Sequence, residues 1–267
     1  MKDQYVSFLN ERIYMNLMPI KVIVFDLVGV LFCVNKIKAL QSLSYKDLIF
    51  YYLRKGKNPI DEGIMLLDKM RLEVPGQFQD IVAYKGNYLP NCFLQWNKGV
   101  ISNHEAFTQI KDYFDILDQR HYFTSQRHKR VILNLLRTLF SAQLGITSFL
   151  PIASTVNLVE KLKQTKNYRL YVLSNIDSET FAGIKVLHES VFNLFDGIVT
   201  SCDSHFIKPD SAIFEYLFKN YDLDPLVCCF VDDQIENLVA AERLGMRTIL
   251  CTKPSLLPEI FKKKNLL

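Results

Sequence analysis

Five short apolar runs, rich in β-branched residues and mostly ending on polar side chains, constrain this chain more than any other feature. Lys21–Phe25 runs into Asp26, Tyr168–Leu173 into Ser174 and Asn175, and Val227–Val231 into Asp232 and Asp233; Gly197–Thr200 and Thr248–Cys251 complete the set. The runs are nearly continuous rather than alternating, as strands buried on both faces of a parallel sheet require. Helical periodicity fills the gaps. Val156, Val159 and Leu162 follow Ser154 as a cap; Ile213, Phe214, Leu217, Phe218 and Tyr221 follow Pro209, which suits a first helical turn. Ile235, Leu238, Val239 and Ala241 follow the aspartate pair. Strand and helix alternate from residue 150 onward, which predicts an α/β fold built on a Rossmann-like, doubly wound parallel sheet.

The first strand is separated from that block by a segment of different texture. Residues 35–149 carry helical periodicity and many aromatics, with helices expected over Lys46–Leu53 and Val131–Phe140 and another capped by Ser102. The expected organisation is therefore a core of residues 1–34 and 150–267 with a helical domain, 35–149, inserted into it. Three roles stay open for residues 1–19: a docking helix, an ordered arm, or contact with a partner. The aromatics of the insertion, among them Tyr51, Tyr52, Trp96 and Phe114, read mainly as helix-packing residues.

Composition narrows the class. Apolar residues make up 49% and charged residues 22%, an ordinary globular balance that argues against global disorder. Lys and Arg total 32 against 28 for Asp and Glu, an excess of +4, too small for a nucleic-acid surface. The two basic clusters, Gln126–Arg130 and Lys262–Lys264, read as solvated helix faces. The six cysteines show no CxxC pair, which suits reduced thiols of an intracellular protein. Charges interrupt the first stretch before any signal-peptide core forms, and Val22–Val34 contains Asp26 and is too short to cross a bilayer. A soluble cytoplasmic protein with no membrane partner is expected; nothing identifies a protein partner. The five histidines show no ligand spacing, and His205, although near Lys208, reads as a surface residue.

In an open α/β sheet ligands bind beyond the carboxyl ends of the strands. The polar residues expected there are Asp26, Ser174, Asn175, Asp232 and Asp233, with Lys208 in a loop just before a helix. Alone, each has a structural explanation as a helix cap or a turn. Together they place three carboxylates, a hydroxyl, an amide and one lysine at a single edge. Like charges do not crowd without compensation, and one lysine does not neutralise three carboxylates. A divalent cation with oxygen ligands does, and Mg²⁺ is the ion such a site prefers.

The motifs Phe25-Asp26-Leu27-Val28-Gly29-Val30-Leu31, Leu173-Ser174-Asn175, Lys208-Pro209-Asp210 and Phe230-Val231-Asp232-Asp233 with Asn237 resemble, in order, the four motifs of the haloacid dehalogenase superfamily of hydrolases. The resemblance covers residues 20–34 and 150–255, including Ala240–Met246, and is greatest for the Phe-Asp-Leu-Gly type of sugar-phosphate phosphatase. It implies that the insertion is an all-helical cap and that the ligand is a small phosphorylated molecule. It also implies that Asp26 is the nucleophile and forms an aspartyl-phosphate. Asp26, the Val28 carbonyl and Asp233, with Asp232 beside it, would hold Mg²⁺. Ser174 and the backbone of Asn175 would bind phosphate oxygens, and Lys208 would pair with nucleophile and phosphate.

One departure matters. Most phosphatases of the family carry a second aspartate two residues after the nucleophile, which protonates the leaving oxygen and then activates water. Here Val28 stands there, and Val30 replaces the usual threonine. General acid–base help is worth about 10²–10⁴-fold. Three readings stay open: a phosphatase that is slow or selective for good leaving groups, a catalytically impaired protein that binds a phosphorylated ligand or a protein, and a hydrolase of carbon–halogen or carbon–phosphorus bonds. A carbon–halogen enzyme needs no metal, so the aspartate pair disfavours that form.

Overall fold

The computed structural model describes residues 18–35, 78–84 and 87–267. The helix expected over 46–53, Tyr51, Tyr52 and residues 1–17 lie outside the described residues. The chain divides into two compact units, one drawn from Met1–Cys33, Pro151–Asn175 and His188–Leu267, the other from Val34–Leu150 and Ile176–Leu187.

The first unit is built on five strands: β1 (Val22–Phe25), β2 (Arg169–Ser174), β3 (Gly197–Thr200), β4 (Cys228–Asp232) and β5 (Arg247–Leu250). Their order is β3-β2-β1-β4-β5, and every pairing is parallel. The central strand explains its own sequence: Val22, Ile23, Val24 and Phe25 have neighbours on both sides and no exposed surface. Phe25 pairs with Val172 and Val231, so the polar residues at the carboxyl ends of β1, β2 and β4 emerge at one edge. That edge includes the point where strand order reverses, between β1 and β4, the usual position of a ligand crevice.

The longer helices of this unit are α1 (Ala153–Thr165), α2 (Ser211–Tyr221), α3 (Ile235–Arg243) and α4 (Leu257–Lys263). Two expected helix starts move. Ser154 lies inside α1: the Ile152 N–H donates to the Leu31 carbonyl at 2.8 Å, holding Ile152 extended as the N-cap, so the helix begins before Ser154. Pro209 precedes the N-cap of α2, which is Asp210, whose carboxylate accepts from the Ala212 N–H at 3.1 Å. On α3, Leu238 and Ala241 face the core, whereas Ile235 and Val239 are exposed. At the edge of the sheet, the Tyr221 hydroxyl accepts from the Ile198 N–H and donates to its carbonyl, occupying backbone groups of the edge strand. Gly197 makes room for that ring, since a Cβ there would lie 2.3 Å from it.

The second unit contains helices Asn91–Asn97, Asn103–Gln119, Gln126–Leu139, Ala142–Ser148 and Ser178–Leu187. Its core gathers Trp96, Ile110, Phe114, Ile132, Leu136 and Phe140. Ser102 caps its helix in a reciprocal box with Glu105, as expected. No strand signal in this segment marks the antiparallel hairpin formed by Phe78–Tyr84 and Asn87–Pro90. Residues 176–187 group with this unit although the sequence boundaries run the core unbroken from 150. Gly183 explains it: the Ile146 side chain comes so close that a Cβ on Gly183 would overlap it, and Glu179 accepts from the Asn103 N–H at 3.1 Å. Cys92, Cys202, Cys228, Cys229 and Cys251 are buried, Cys33 is exposed, and none forms a disulfide. Among the described residues no helix is long and apolar enough to cross a membrane.

Candidate active site

The carboxyl edge of the sheet brings Asp26, Ser174, Lys208 and Asp232 together in the interior of the first unit, at 4%, 1%, 4% and 0% exposure. Asp26 directly follows β1, and its N–H donates to the Val231 carbonyl at 2.8 Å, which ties it beside Asp232. Lys208 comes from the loop before α2 and bridges both: its Nζ donates to Asp26 Oδ1 at 2.7 Å, Asp232 Oδ2 at 2.7 Å and the Leu173 carbonyl at 3.0 Å. An ammonium has three protons, and all three are used. The Phe230 ring lies 5.2 Å from the same nitrogen and adds a cation–π contact.

Asp232 is satisfied as fully as a carboxylate can be. Oδ1 accepts from the Gln234 N–H at 2.8 Å, Oδ2 from Lys208, and the Asn237 amide donates to both oxygens at 3.1 Å. Asp233 is exposed, and its carboxylate lies against Gly29, where a Cβ would come within 2.7 Å of Oδ2. Gly29 has a φ of +91°, so both its backbone and its missing side chain fit the turn after Asp26. The Gly29 N–H donates to the Phe32 carbonyl at 2.7 Å, and the Cys251 thiol faces the Gly29 carbonyl at 3.9 Å.

The electrostatics follow from this crowding. Burial, then the charges of Asp232 and Asp233, push the Asp26 carboxyl up to about 7 despite the pull of Lys208. Burial would depress the Lys208 ammonium, but Asp232 and Asp26 hold it above its ordinary value. Asp26, Asp232 and Asp233 each offer an oxygen within 4.8 Å of the others. An all-oxygen set carrying three negative charges against one ammonium fits a hard divalent cation. Lys208 engages one oxygen of Asp26, and Asp232 already accepts four hydrogen bonds. The Ser174 hydroxyl is buried and has no partner among the described residues.

Every residue singled out at the strand ends thus stands at this edge. The sequence did not reveal that the Asn175 side chain turns to the main chain of Lys208, where Oδ1 accepts from its N–H at 2.8 Å and Nδ2 donates to its carbonyl at 2.9 Å. It did not reveal Cys251 beside the carboxylates either; its position at the end of β5 was the available signal. Val28 is half-buried and Val30 fully buried, while His205 is exposed.

A doubly wound parallel sheet thus carries an aspartate after its central strand, a buried lysine bridge and an aspartate pair at the neighbouring strand end. The chain belongs to the haloacid dehalogenase-like hydrolases, whose family profile matches residues 20–245. Over 96 residues it is 33% identical to the sesquiterpene phosphatase astK of Aspergillus oryzae, covering 36% of this chain and 48% of that protein. Over 97 residues it is 35% identical to the drimenol cyclase drtB of Aspergillus calidoustus, covering 36% and 18%. The chain therefore spans less than half the length of these relatives. A haloacid dehalogenase family enzyme of Bacteroides thetaiotaomicron shares the fold with a TM-score of 0.54 at 20% identity, over 87% of this chain and 94% of that one. A predicted hydrolase of this type from Porphyromonas gingivalis gives 0.51 at 21%, over 92% and 98%.

Proposed function

We propose that this chain is a Mg²⁺-dependent phosphatase acting on small phosphorylated molecules through an aspartyl-phosphate on Asp26. The observation that carries the reading is the buried Asp26–Lys208–Asp232 bridge with the Asp233 carboxylate and the unpartnered Ser174 hydroxyl at the same edge. The sesquiterpene phosphatase among the relatives supports the reaction class. Asp26, Asp233 and the Val28 carbonyl would hold Mg²⁺ with Asp232 beside them, and the bound ion would offset the negative charge of carboxylates and phosphate. The second unit is proposed as the cap.

In the first step an oxygen of Asp26 attacks phosphorus, the bond from phosphorus to the leaving oxygen breaks, and that oxygen departs with the electron pair. Lys208 orients Asp26 for in-line attack, while the Ser174 hydroxyl and the Asn175 backbone N–H receive phosphate oxygens. In the second step water attacks the same phosphorus and gives up a proton to solvent, the bond to Asp26 breaks, and the carboxylate returns. Val28 donates no proton in the first step and accepts none in the second. Anomeric sugar phosphates and acyl phosphates, whose leaving groups need little protonation, should therefore turn over at least ~10²-fold faster than simple alkyl phosphates. A substrate panel with Mg²⁺ checks this, and equal rates across it would refute the role assigned to Val28. Slow hydrolysis of the intermediate should leave Asp26 phosphorylated in protein quenched during turnover, read by peptide mass spectrometry. Val28 also favours a second reading, a protein that binds a phosphorylated ligand without turnover; phosphate binding with no hydrolysis anywhere on the panel would select it.

Metal binding should depend on pH in a defined direction. With Asp26 raised to about 7, the metal-free site holds a proton below that pH and a ligand-ready carboxylate above it. Mg²⁺ binding should release close to one proton well below pH 7 and close to none well above it, and apparent affinity should fall as pH drops below that value. Calorimetry in buffers of different ionisation enthalpy measures both quantities. Proton release that does not change with pH would contradict this assignment.

A further inference from the structure

Lys208 sits in a loop outside any helix or strand, buried, and followed by Pro209, whose nitrogen carries no hydrogen. Its own N–H and carbonyl therefore have no strand ladder to join, and buried backbone groups need partners. The Asn175 side chain supplies both. A primary amide presents an acceptor and a donor in one plane, and here Oδ1 takes the Lys208 N–H at 2.8 Å while Nδ2 reaches its carbonyl at 2.9 Å. Those two bonds flank the Lys208 Cα and fix the direction in which its side chain leaves the backbone. The far end of that side chain is seated on Asp26, Asp232 and the Leu173 carbonyl. Leu173 and Asn175 belong to the same strand end, so the terminus of β2 holds Lys208 at its base and at its tip. Ser174, between them, carries the unpartnered hydroxyl.

We infer that Asn175 is a positioning residue: its side-chain amide fixes the main chain of Lys208 and thereby seats the ammonium between Asp26 and Asp232. The role is distinct from holding a phosphate oxygen through the Asn175 backbone, which any side chain at this position permits. A lysine stem is flexible, and a lysine released at its base regains rotamers in which the ammonium is off the bridge.

The kinetic arm of the test rests on the phosphatase reading; the labelling arm does not. Wild type, Asn175→Ala, Lys208→Arg and the double variant are compared with p-nitrophenyl phosphate and Mg²⁺. In parallel, acylation of Lys208 by acetic anhydride is followed by peptide mass spectrometry, with the exposed Lys161 and Lys219 as internal standards. Asn175→Ala should lower kcat by ~10–10²-fold with KM within about threefold, as expected of a displaced catalytic group. In the Lys208→Arg background the same change should cost less than about threefold, because the residue it acts through is already altered. Lys208 should be acylated at least ~10-fold faster in Asn175→Ala than in wild type, with the standards unchanged. Asn175→Asp keeps the size and the acceptor but sets a carboxylate oxygen against the Lys208 carbonyl, and should move both readouts the same way if the alanine variant folds poorly. An undiminished loss in the arginine background, or unchanged Lys208 labelling, overturns the inference. A wild-type protein that hydrolyses no phosphate ester fails the phosphatase reading instead, and the labelling result still decides the role of Asn175.

Discussion

Asp26→Asn should abolish hydrolysis of every phosphate ester the wild type accepts, by at least ~10⁴-fold in kcat, because an amide oxygen is too weak a nucleophile to displace the leaving group. Phosphate release with Mg²⁺ measures the loss, and wild type treated with EDTA should be equally silent. The same substitution should stabilise the metal-free protein. The Asp26 carboxyl ionises near its ordinary 3.8 when the chain is unfolded and at about 7 when folded, so the folded state binds the proton more tightly. The metal-free wild type therefore loses stability as pH rises from about 4 through about 7. Asn175 and Lys208 remain in place in the variant, and Asn at position 26 has no proton to lose. Its melting temperature in EDTA at pH 8 should lie above that of wild type by roughly 4 °C, for about 2 kcal/mol. Full activity in Asp26→Asn would remove Asp26 from the nucleophile's role, and an unchanged pH profile of stability would show that its carboxyl is not raised.

Lys208→Met should cost both activity and stability. The lysine is the only cation within hydrogen-bond reach of Asp26 and Asp232 among the described residues, at 2.7 Å from each. Removing one partner of a buried ion pair leaves uncompensated charge and costs ~3–5 kcal/mol, or about 6–15 °C in melting temperature for a domain of this size. Asp26 also loses the influence that lowers its pKa, so Mg²⁺-linked proton release should move to higher pH. On the proposed mechanism a drop in kcat of roughly 10³-fold or more is expected, since the group proposed to orient Asp26 is gone. Saturating Mg²⁺ should recover part of the stability by supplying positive charge, and none of the orientation. Thermal denaturation with and without Mg²⁺ distinguishes the two contributions. A variant as stable as wild type in EDTA would mean that the bridge contributes nothing to the fold.

The sheet was legible in the chain because its strands are buried on both faces. Such strands need uninterrupted apolar residues, and the five runs coincide with β1 to β5 to within a residue at either end. Helix starts were less legible, since they depend on what the preceding residue bonds. Ser154 has the chemistry of a cap, yet the Leu31 carbonyl holds Ile152 in the capping position instead. The placement of residues 176–187 was hidden for a similar reason. Helical periodicity shows that a segment has an apolar face, and says nothing of which other apolar face will cover it.

What the amino-acid order determined alone was the class: a parallel α/β sheet, the residues standing at its strand ends, and the missing acid at Val28. Those follow from short-range rules of hydropathy and strand polarity, and the family motifs are themselves local strings. Tertiary structure decided who bonds to whom. Lys208 meets Asp26 across 182 positions of chain, Asn237 saturates Asp232, and Asn175 turns its amide to a backbone 33 positions away. Such pairings depend on distances of a few tenths of an ångström between segments brought together only by sheet order, and local sequence holds no record of them.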